Sequence, residues 1–148
     1  MRKNRKIENY MLITKHSILT DAPPSKIWKF WSDVKTWHTW DDGLDGADID
    51  GEFVKGSSGW LKPADGPKVK LELMEVRVNE FFHDITKLPL GRIDFYHTLE
   101  RVGEQTKITQ QIEMHGLLTF VFSRLIGKGL RERLPSVMNT LARQAEKA

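Results

Sequence analysis

The sequence predicts an α+β fold in which a curved antiparallel sheet wraps around one long C-terminal helix. Between residues 68 and 114, apolar and polar side chains alternate along each predicted strand, which is typical of strands buried on one face. The strands in this region are joined by connections of two to four residues, a length that favours antiparallel hairpins. From residue 118 onward, apolar residues recur every three or four positions, as in an amphipathic helix.

A strand and a helix are predicted before the main part of the sheet. Residues 11–20 are rich in β-branched and apolar side chains. This strand ends at residues 21–24 (Asp-Ala-Pro-Pro), where prolines stop a strand and fit the first turn of a helix. The helix is predicted over residues 25–34. Its apolar face consists of four residues at helical spacing: Ile27, Trp28, Trp31 and Val34.

The remaining strands complete the predicted sheet. They are expected at residues 47–54, around Trp60, and at residues 68–78, 81–88, 92–101 and 106–114. Near Leu73 and Met74 the apolar positions of one strand change from one parity to the other. A β-bulge is the simplest cause of such a change, and bulges bend sheets, so this strand supports a curved sheet.

The C-terminal helix is predicted over residues 118–148. Its apolar face is formed by Ile126, Leu130, Leu134, Val137, Leu141 and Ala145. Pro135 lies inside the helix, where a proline removes a hydrogen bond at a cost of about 3 kcal/mol, so we expect a kink near residues 131–135. A bent sheet and a helix do not mesh completely, and a pocket is expected between them.

Length and composition indicate one folded domain. The chain has 148 residues, a length typical of one domain. We predict a basic disordered tail at residues 1–9 and a single domain at residues 10–148. It contains no cysteine, which excludes disulfides, thiolate nucleophiles and Cys-ligated metals. The net charge of +3 arises largely from the tail, and no nucleic-acid-binding motif accompanies it. No nucleic-acid partner is therefore predicted.

Neither a signal peptide nor a membrane span is predicted. The basic N-terminus is not followed by an apolar segment, and no apolar run approaches the roughly 20 residues that cross a bilayer. We therefore expect a cytoplasmic protein, monomeric or homodimeric, without stable membrane insertion. The chain also lacks a Gly-rich phosphate loop, a G-x-S-x-G elbow and an HExxH helix, so no cofactor is predicted.

Short motifs follow one another along most of the chain. They are Ile-Leu-Thr-Asp-Ala-Pro-Pro at 18–24, Trp-His-Thr-Trp at 37–40, Asp-Gly-Glu-Phe at 50–53, Leu-Pro-Leu-Gly at 88–91 and Phe-Tyr-His-Thr-Leu-Glu at 95–100. In this order and spacing they resemble the polyketide cyclase/dehydrase branch of the START-like (Bet v 1-like, SRPBCC) helix-grip superfamily. The resemblance implies a lipid- or polyketide-like ligand between sheet and helix. It implies no universal catalytic residues, because the superfamily includes cyclases, carriers and ligand sensors.

Hairpin counting places polar residues in one row on the apolar face of the sheet. The first hairpin, with a predicted two-residue turn, sets Val76 opposite His83. The second, with a predicted three-residue turn, sets His83 opposite His97. The third, with a predicted four-residue loop, sets His97 opposite Gln110. We therefore expect these four side chains to cross four strands side by side.

The predicted ligand-binding residues are Trp40, Met74, Val76, His83, Phe95, His97, Gln110 and Met114. Histidine titrates near neutral pH, so His97 and His83 are candidate general acids or bases. Alternatively, the polar groups of the row only bond to one another or to buried water. No metal site is predicted, because no carboxylate or third histidine is placed beside this pair.

Three functions remain open from the sequence. The first is a binder or carrier of a small hydrophobic molecule, and it is the main prediction. The second is a cyclase or dehydrase that acts on a polyketide-like substrate through His83 or His97. The third is a protein-interaction module that uses the apolar hairpin tip at residues 88–90 and the basic tail.

Overall fold

The structure, a computed structural model, describes residues 10–148. Within this part of the chain the strands are β1 (Tyr10–Thr20), β2 (Leu44–Ile49), β3 (Ser58–Pro63), β4 (Val69–Arg77), β5 (Phe81–Leu88), β6 (Gly91–Val102) and β7 (Gln105–Gly116). The helices are α1 (Pro24–Ser32), α2 (Thr119–Phe122) and α3 (Lys128–Lys147). A 3-10 helix (Val34–Thr39) follows α1, and a π-helical turn (Ser123–Gly127) joins α2 to α3. The predicted tail, residues 1–9, lies outside the described residues.

The strands form one antiparallel sheet in the order β1-β7-β6-β5-β4-β3-β2. Every neighbouring pair is antiparallel, and β4 to β7 are consecutive hairpins. The helix α3 packs against β1 and against α1. The inner face of the sheet, which faces these helices, contributes the apolar side chains of the core. The predicted α+β fold, a curved antiparallel sheet around a long C-terminal helix, is confirmed.

The bend in β4 has the predicted cause. Leu73 pairs with Asp84, whereas the next paired residue of β4 is Glu75, opposite His83. Met74 is therefore the extra residue of a β-bulge, and 40% of its surface is exposed. The change of parity in the sequence marked this bulge correctly.

The strand predicted at residues 47–54 is misplaced. The observed strand β2 covers Leu44–Ile49, and the chain turns immediately after it. Gly51 and Gly56 have φ values of 82° and 89°, in the left-handed region that favours glycine. The turn residues between them carry Phe53 toward the core instead of along a strand.

The C-terminal helix has the predicted apolar face. Leu134, Val137, Leu141 and Ala145 are buried, and Ile126 and Leu130 pack against the core while half-buried. Pro135 lies inside α3, which the structure shows as one helix from Lys128 to Lys147. The π-helical turn lies before α3, where the helical segment leaves the end of β7.

Helix α1 places tryptophans in the core. Pro24 occupies its first turn, as predicted, and Trp28 and Trp31 are buried. The helix ends at Ser32, two residues earlier than predicted, and a 3-10 helix continues the chain. The indole Nε1 of Trp37 in this 3-10 helix donates a hydrogen bond of 2.9 Å to the carbonyl of Trp31. This bond fixes the 3-10 helix against the end of α1.

Candidate ligand-binding site

The predicted pairing of His97 with Gln110 is confirmed, but the position of His83 is wrong. Phe82, not His83, lies opposite His97, and His83 pairs with Tyr96. The β5–β6 turn contains two residues instead of three, because Leu90 adopts a positive φ of 58° that permits a tighter turn. His83 therefore lies on the outer face of the sheet and cannot belong to an interior row.

The first hairpin also differs from the prediction, in the opposite sense. Its turn has three residues, with Asn79 at a φ of 63°, so Val76 pairs with Phe82 instead of His83. The first turn is one residue longer than expected and the second is one residue shorter. The two errors in register therefore cancel, and the predicted alignment of β4 with β6 and β7 is correct. The observed row is Val76, Phe82, His97, Gln110 and, on β1, His16.

The interior contains two polar side chains that were not predicted from the sequence, and together with His97 they form what we call the interior group. Asp84 and Thr86 lie on the same face of β5 as Phe82, and both are buried. Oδ1 of Asp84 lies 3.5 Å from Nδ1 of His97. The sequence did not show that these side chains face inward, because β5 carries a large apolar residue on each face, Phe82 on one and Ile85 on the other. Alternation alone therefore does not identify the inner face of this strand.

Burial disfavours the charged form of both members of this pair. Removal from water raises the pKa of Asp84 well above its usual value, and the charge of Asp94 raises it further. Removal from water also lowers the pKa of His97 to about 3. A 3.5 Å separation without hydrogen-bond geometry is too weak a contact to stabilise two buried charges. At neutral pH we therefore take His97 as a neutral imidazole beside a carboxyl group that favours its protonated form.

An aromatic cluster surrounds His97. The ring of Phe82 stacks on the imidazole with 3.8 Å between ring centroids and an interplanar angle of 6°. Trp31 meets the same imidazole edge to face at 5.4 Å. Phe53 in turn contacts Phe82 at 5.1 Å. The Asp84–His97 pair thus lies in apolar surroundings that strengthen any hydrogen bond formed there.

Three polar atoms of this interior group lack a partner among the described residues. They are Oδ1 of Asp84, Oγ1 of Thr86 and Nδ1 of His97. Buried polar atoms are usually hydrogen-bonded, and leaving one unsatisfied costs about 1–3 kcal/mol. The three atoms lie on the adjacent strands β5 and β6.

The other predicted ligand-binding residues lie in different surroundings. Phe95 and Gln110 are half-buried on the inner face, and Met114 is buried there. Trp40 is buried at the end of the 3-10 helix, and its Nε1 lacks a partner in the described part of the chain. Met74 is exposed at the bulge, so it does not face the interior group. Whether any of them contacts a ligand stays a prediction.

His83 belongs to a polar network on the outer face of the sheet. Its Nε2 lies 2.7 Å from Oδ2 of Asp94, and Nε of Arg92 donates to Oδ1 of Asp94 at 2.8 Å. Burial tends to raise the pKa of Asp94, but the hydrogen bonds from His83 and Arg92 outweigh it and hold the pKa below its usual value. Residues 10–148 contain no group of three or more potential ligands arranged to hold a metal ion.

Surface grooves lie at two places among the described residues. The first, of about 490 Å³, lies between the start of β1 and the helical segment after β7, and Met11, Arg124, Lys128 and Arg131 contribute to its walls. The second, of about 350 Å³, lies between the end of α1 and the turn after β2. Phe53 lines this second groove and also contacts Phe82, whose ring stacks on His97.

Fold and interior define a class of protein, the Bet v 1-like helix-grip proteins, in which a curved sheet grips a C-terminal helix. Residues 11–146 match the model of one family, described as polyketide cyclase / dehydrase and lipid transport. The chain belongs to this family. A search of curated proteins found no match to the sequence. None of the helices in residues 10–148 is long and apolar enough to cross a bilayer.

Solved structures share the fold at low sequence identity. Norcoclaurine synthase of Thalictrum flavum, a point mutant in complex with a transition-state analogue, matches with a TM-score of 0.72 at 16% identity, over 95% of this chain and 96% of that chain. Ara h 8.0201 matches with a TM-score of 0.72 at 11% identity, over 95% and 100%. A protein of Thermus thermophilus, TTHA0849, matches with a TM-score of 0.70 at 13% identity, over 90% and 97%. At these identities the likeness shows the fold alone.

Proposed function

We propose that this protein binds a small hydrophobic molecule, lipid- or polyketide-like, and holds an oxygen atom of that molecule at Asp84 and His97. The observation that supports this proposal is the group of buried polar atoms that have no hydrogen-bond partner within residues 10–148, in an otherwise apolar interior. A hydroxyl or carbonyl group of a ligand would satisfy them, and the aromatic rings around His97 would contact the apolar body.

The neutral state of the pair determines which ligands it suits. A protonated carboxyl group at Asp84 donates a hydrogen bond, and the unprotonated nitrogen of neutral His97 accepts one. The site therefore matches an uncharged alcohol, phenol or ketone. A ligand with a charge at this position would lose its hydration without gaining a countercharge.

The groove beside Phe53 is the entry route that we propose for such a molecule. Phe53 lies on the glycine-flanked turn after β2 and lines the 350 Å³ groove on one side. On the other side it contacts Phe82, which stacks on His97.

The family and the fold agree with a ligand of this kind. The family's description includes lipid transport. Norcoclaurine synthase of Thalictrum flavum, which shares the fold at 14% identity, has been solved in complex with dopamine and hydroxybenzaldehyde. Both are small aromatic molecules that carry oxygen atoms.

The proposal is tested with two probes that differ in one group. 2-Naphthol carries a hydroxyl where 2-methylnaphthalene carries a methyl, and quenching of tryptophan fluorescence measures the affinity of each. We expect His97→Leu to weaken 2-naphthol binding by 1–3 kcal/mol, about 5-fold to 150-fold, and to leave 2-methylnaphthalene binding unchanged. Failure of the wild type to bind either probe, or an equal loss for both, would show that the pair holds no ligand oxygen.

A second function, proton transfer on a bound ketone, is favoured by the geometry of the pair. Oδ1 of Asp84 and Nδ1 of His97 lie 3.5 Å apart, and burial favours the protonated carboxyl group and the unprotonated imidazole. His97 would remove a proton from the carbon beside the carbonyl while Asp84 donates one to the oxygen. The test is exchange of the α-hydrogens of 2-tetralone for deuterium, followed by mass spectrometry. No acceleration over the His97→Leu variant would exclude this reaction.

A further inference from the structure

One end of the molecule carries most of the large apolar side chains that the structure exposes. Thirteen large hydrophobic residues are exposed in residues 10–148, and eight of them lie where β1 begins, β5 turns into β6 and β7 leads into α2. These eight are Tyr10, Met11, Leu12, Leu90, Leu117, Phe120, Val121 and Leu125. Scattered exposed apolar residues are ordinary, whereas a cluster at one end marks an interaction surface.

The sheet register shows that these residues share one end. Tyr10 pairs with His115, and Gly91 pairs with Gly116, so the start of β1, the β5–β6 turn and the end of β7 meet. The amide of Leu117 donates a hydrogen bond of 3.1 Å to the carbonyl of Leu90. The apolar hairpin tip singled out in the sequence is therefore joined to the helical segment that carries Phe120 and Leu125.

Basic side chains border this apolar end. The guanidinium of Arg124 lies 4.7 Å from the ring centroid of Phe120. Arg124, Lys128 and Arg131 line the 490 Å³ groove together with Met11, and the single acidic residue in its lining, Glu132, lies 3.9 Å from Lys128. The nine residues that precede Tyr10 include four basic ones, so their positive charge joins the folded part of the chain at this same end.

We propose that this end, with its apolar residues and basic border, docks on the surface of a bilayer that contains anionic phospholipid. Exposed Leu and Phe side chains enter the boundary between headgroups and acyl chains, while Arg and Lys pair with lipid phosphates. Charge complementarity favours this occupant over a second copy of the chain, because two copies would bring two basic borders together. The docking surface involves neither Asp84 nor His97, so it goes beyond the binding function proposed above.

Vesicle flotation tests the surface. The full chain is mixed with vesicles of phosphatidylcholine alone or of phosphatidylcholine with about one-third phosphatidylserine. We expect binding to the anionic vesicles only, and weaker binding at high salt because salt screens the basic border. Phe120→Asp and Leu125→Asp should each lower the partition coefficient about tenfold or more. These side chains are 65% and 73% exposed, so neither substitution removes core packing.

The matched control is Val78→Asp. Val78 is 66% exposed, but it lies in the β4–β5 turn, at the opposite end of β5 from Leu90. It should bind anionic vesicles like the wild type. The proposal is overturned if the wild type fails to bind anionic vesicles at low salt or if Val78→Asp loses as much binding as Leu125→Asp. It is also overturned if sedimentation without lipid shows a dimer that Leu125→Asp dissociates, because the second copy is then the occupant.

Discussion

Nδ1 of His97 lies 3.5 Å from Oδ1 of Asp84, with both side chains buried on the inner face of the sheet. Neither atom has a hydrogen-bond partner in the described part of the chain. Burial penalises the charged form of each group, which raises the pKa of Asp84 and lowers the pKa of His97. Buried polar atoms without a hydrogen-bond partner are costly, so this pair reduces the stability of a fold that depends on apolar packing.

The lowered pKa of His97 predicts a specific pH dependence of stability. The unfolded chain binds a proton at this histidine below pH 6.5, whereas the folded chain does so only below about pH 3. Between these values the unfolded state binds more protons, so the free energy of unfolding falls as the pH falls, by about 1.4 kcal/mol per pH unit. Asp84 acts with the opposite sign, because its raised pKa lets the folded state hold a proton that the unfolded state releases.

His97→Leu isolates the contribution of the histidine. Urea unfolding from pH 7 to pH 4 should show the variant gaining stability relative to the wild type as the pH falls. At pH 7 the variant should be as stable as the wild type or more stable, because a leucine has no polar atom to desolvate. Parallel stability curves would contradict the lowered pKa. A large loss of stability at pH 7 would show that His97 satisfies a structural partner.

The sequence predicted half of this site, for a physical reason. His97 was found because β6 alternates cleanly, with Ile93 and Leu99 on its parity. The predicted register between β6 and β7 was also correct, although their turn has two residues instead of four because Val102 pairs with Gln105. Asp84 was missed because turn lengths fix register, and a one-residue slip exchanges the two faces of a strand. Positive φ values at Asn79 and Leu90 determine those lengths, and neither residue is a glycine that would have marked them.

The long helix offers a test of the inner face. Leu134→Ala and Leu141→Ala should each lower the free energy of unfolding by about 2–5 kcal/mol, because both side chains are buried in the core. Arg143→Ala should change it little, since this side chain is exposed on the opposite face. Chemical denaturation of the three variants checks the orientation. Equal losses at all three positions would contradict it.

The basic tail is expected to be dispensable for folding. Residues 1–8 show no apolar period, so ordering them would cost conformational entropy without burial of apolar surface. Deleting them should leave the melting temperature almost unchanged, as measured by circular dichroism. A drop of many degrees would show that the tail packs on the domain.

The fold was more predictable than the site because it depends on features that tolerate small errors. The apolar face of α3 from Leu134 to Ala145 spans three turns. An error of two residues in the position of a helix end therefore does not change which face is buried. Only the strand after the 3-10 helix was misplaced, since Gly51 and Gly56 allow a turn where apolar residues had suggested a strand. A site requires particular side chains on the correct face of a strand, so an error of one residue in the register predicts the wrong side chain there.

The outer-face network predicts a loss of stability in acid, which is opposite in sign to the effect of Asp84. Hydrogen bonds from His83 and Arg92 hold the pKa of Asp94 below its usual value despite burial. The folded state therefore releases this proton more readily than the unfolded state, and the resulting stability is present at neutral pH and lost as the pH falls through the range below about 4.

Asp94→Asn should lower the free energy of unfolding at pH 7 by about 1–3 kcal/mol, because Arg92 and His83 lose a charged acceptor. The difference between variant and wild type should shrink toward pH 3, which urea unfolding at several pH values measures. Asp45→Asn, at an exposed carboxylate whose contact with Lys62 is 3.3 Å long, is the control and should cost little. If Asp94→Asn is as mild as that control at pH 7, the hydrogen bonds of Asp94 contribute nothing to stability.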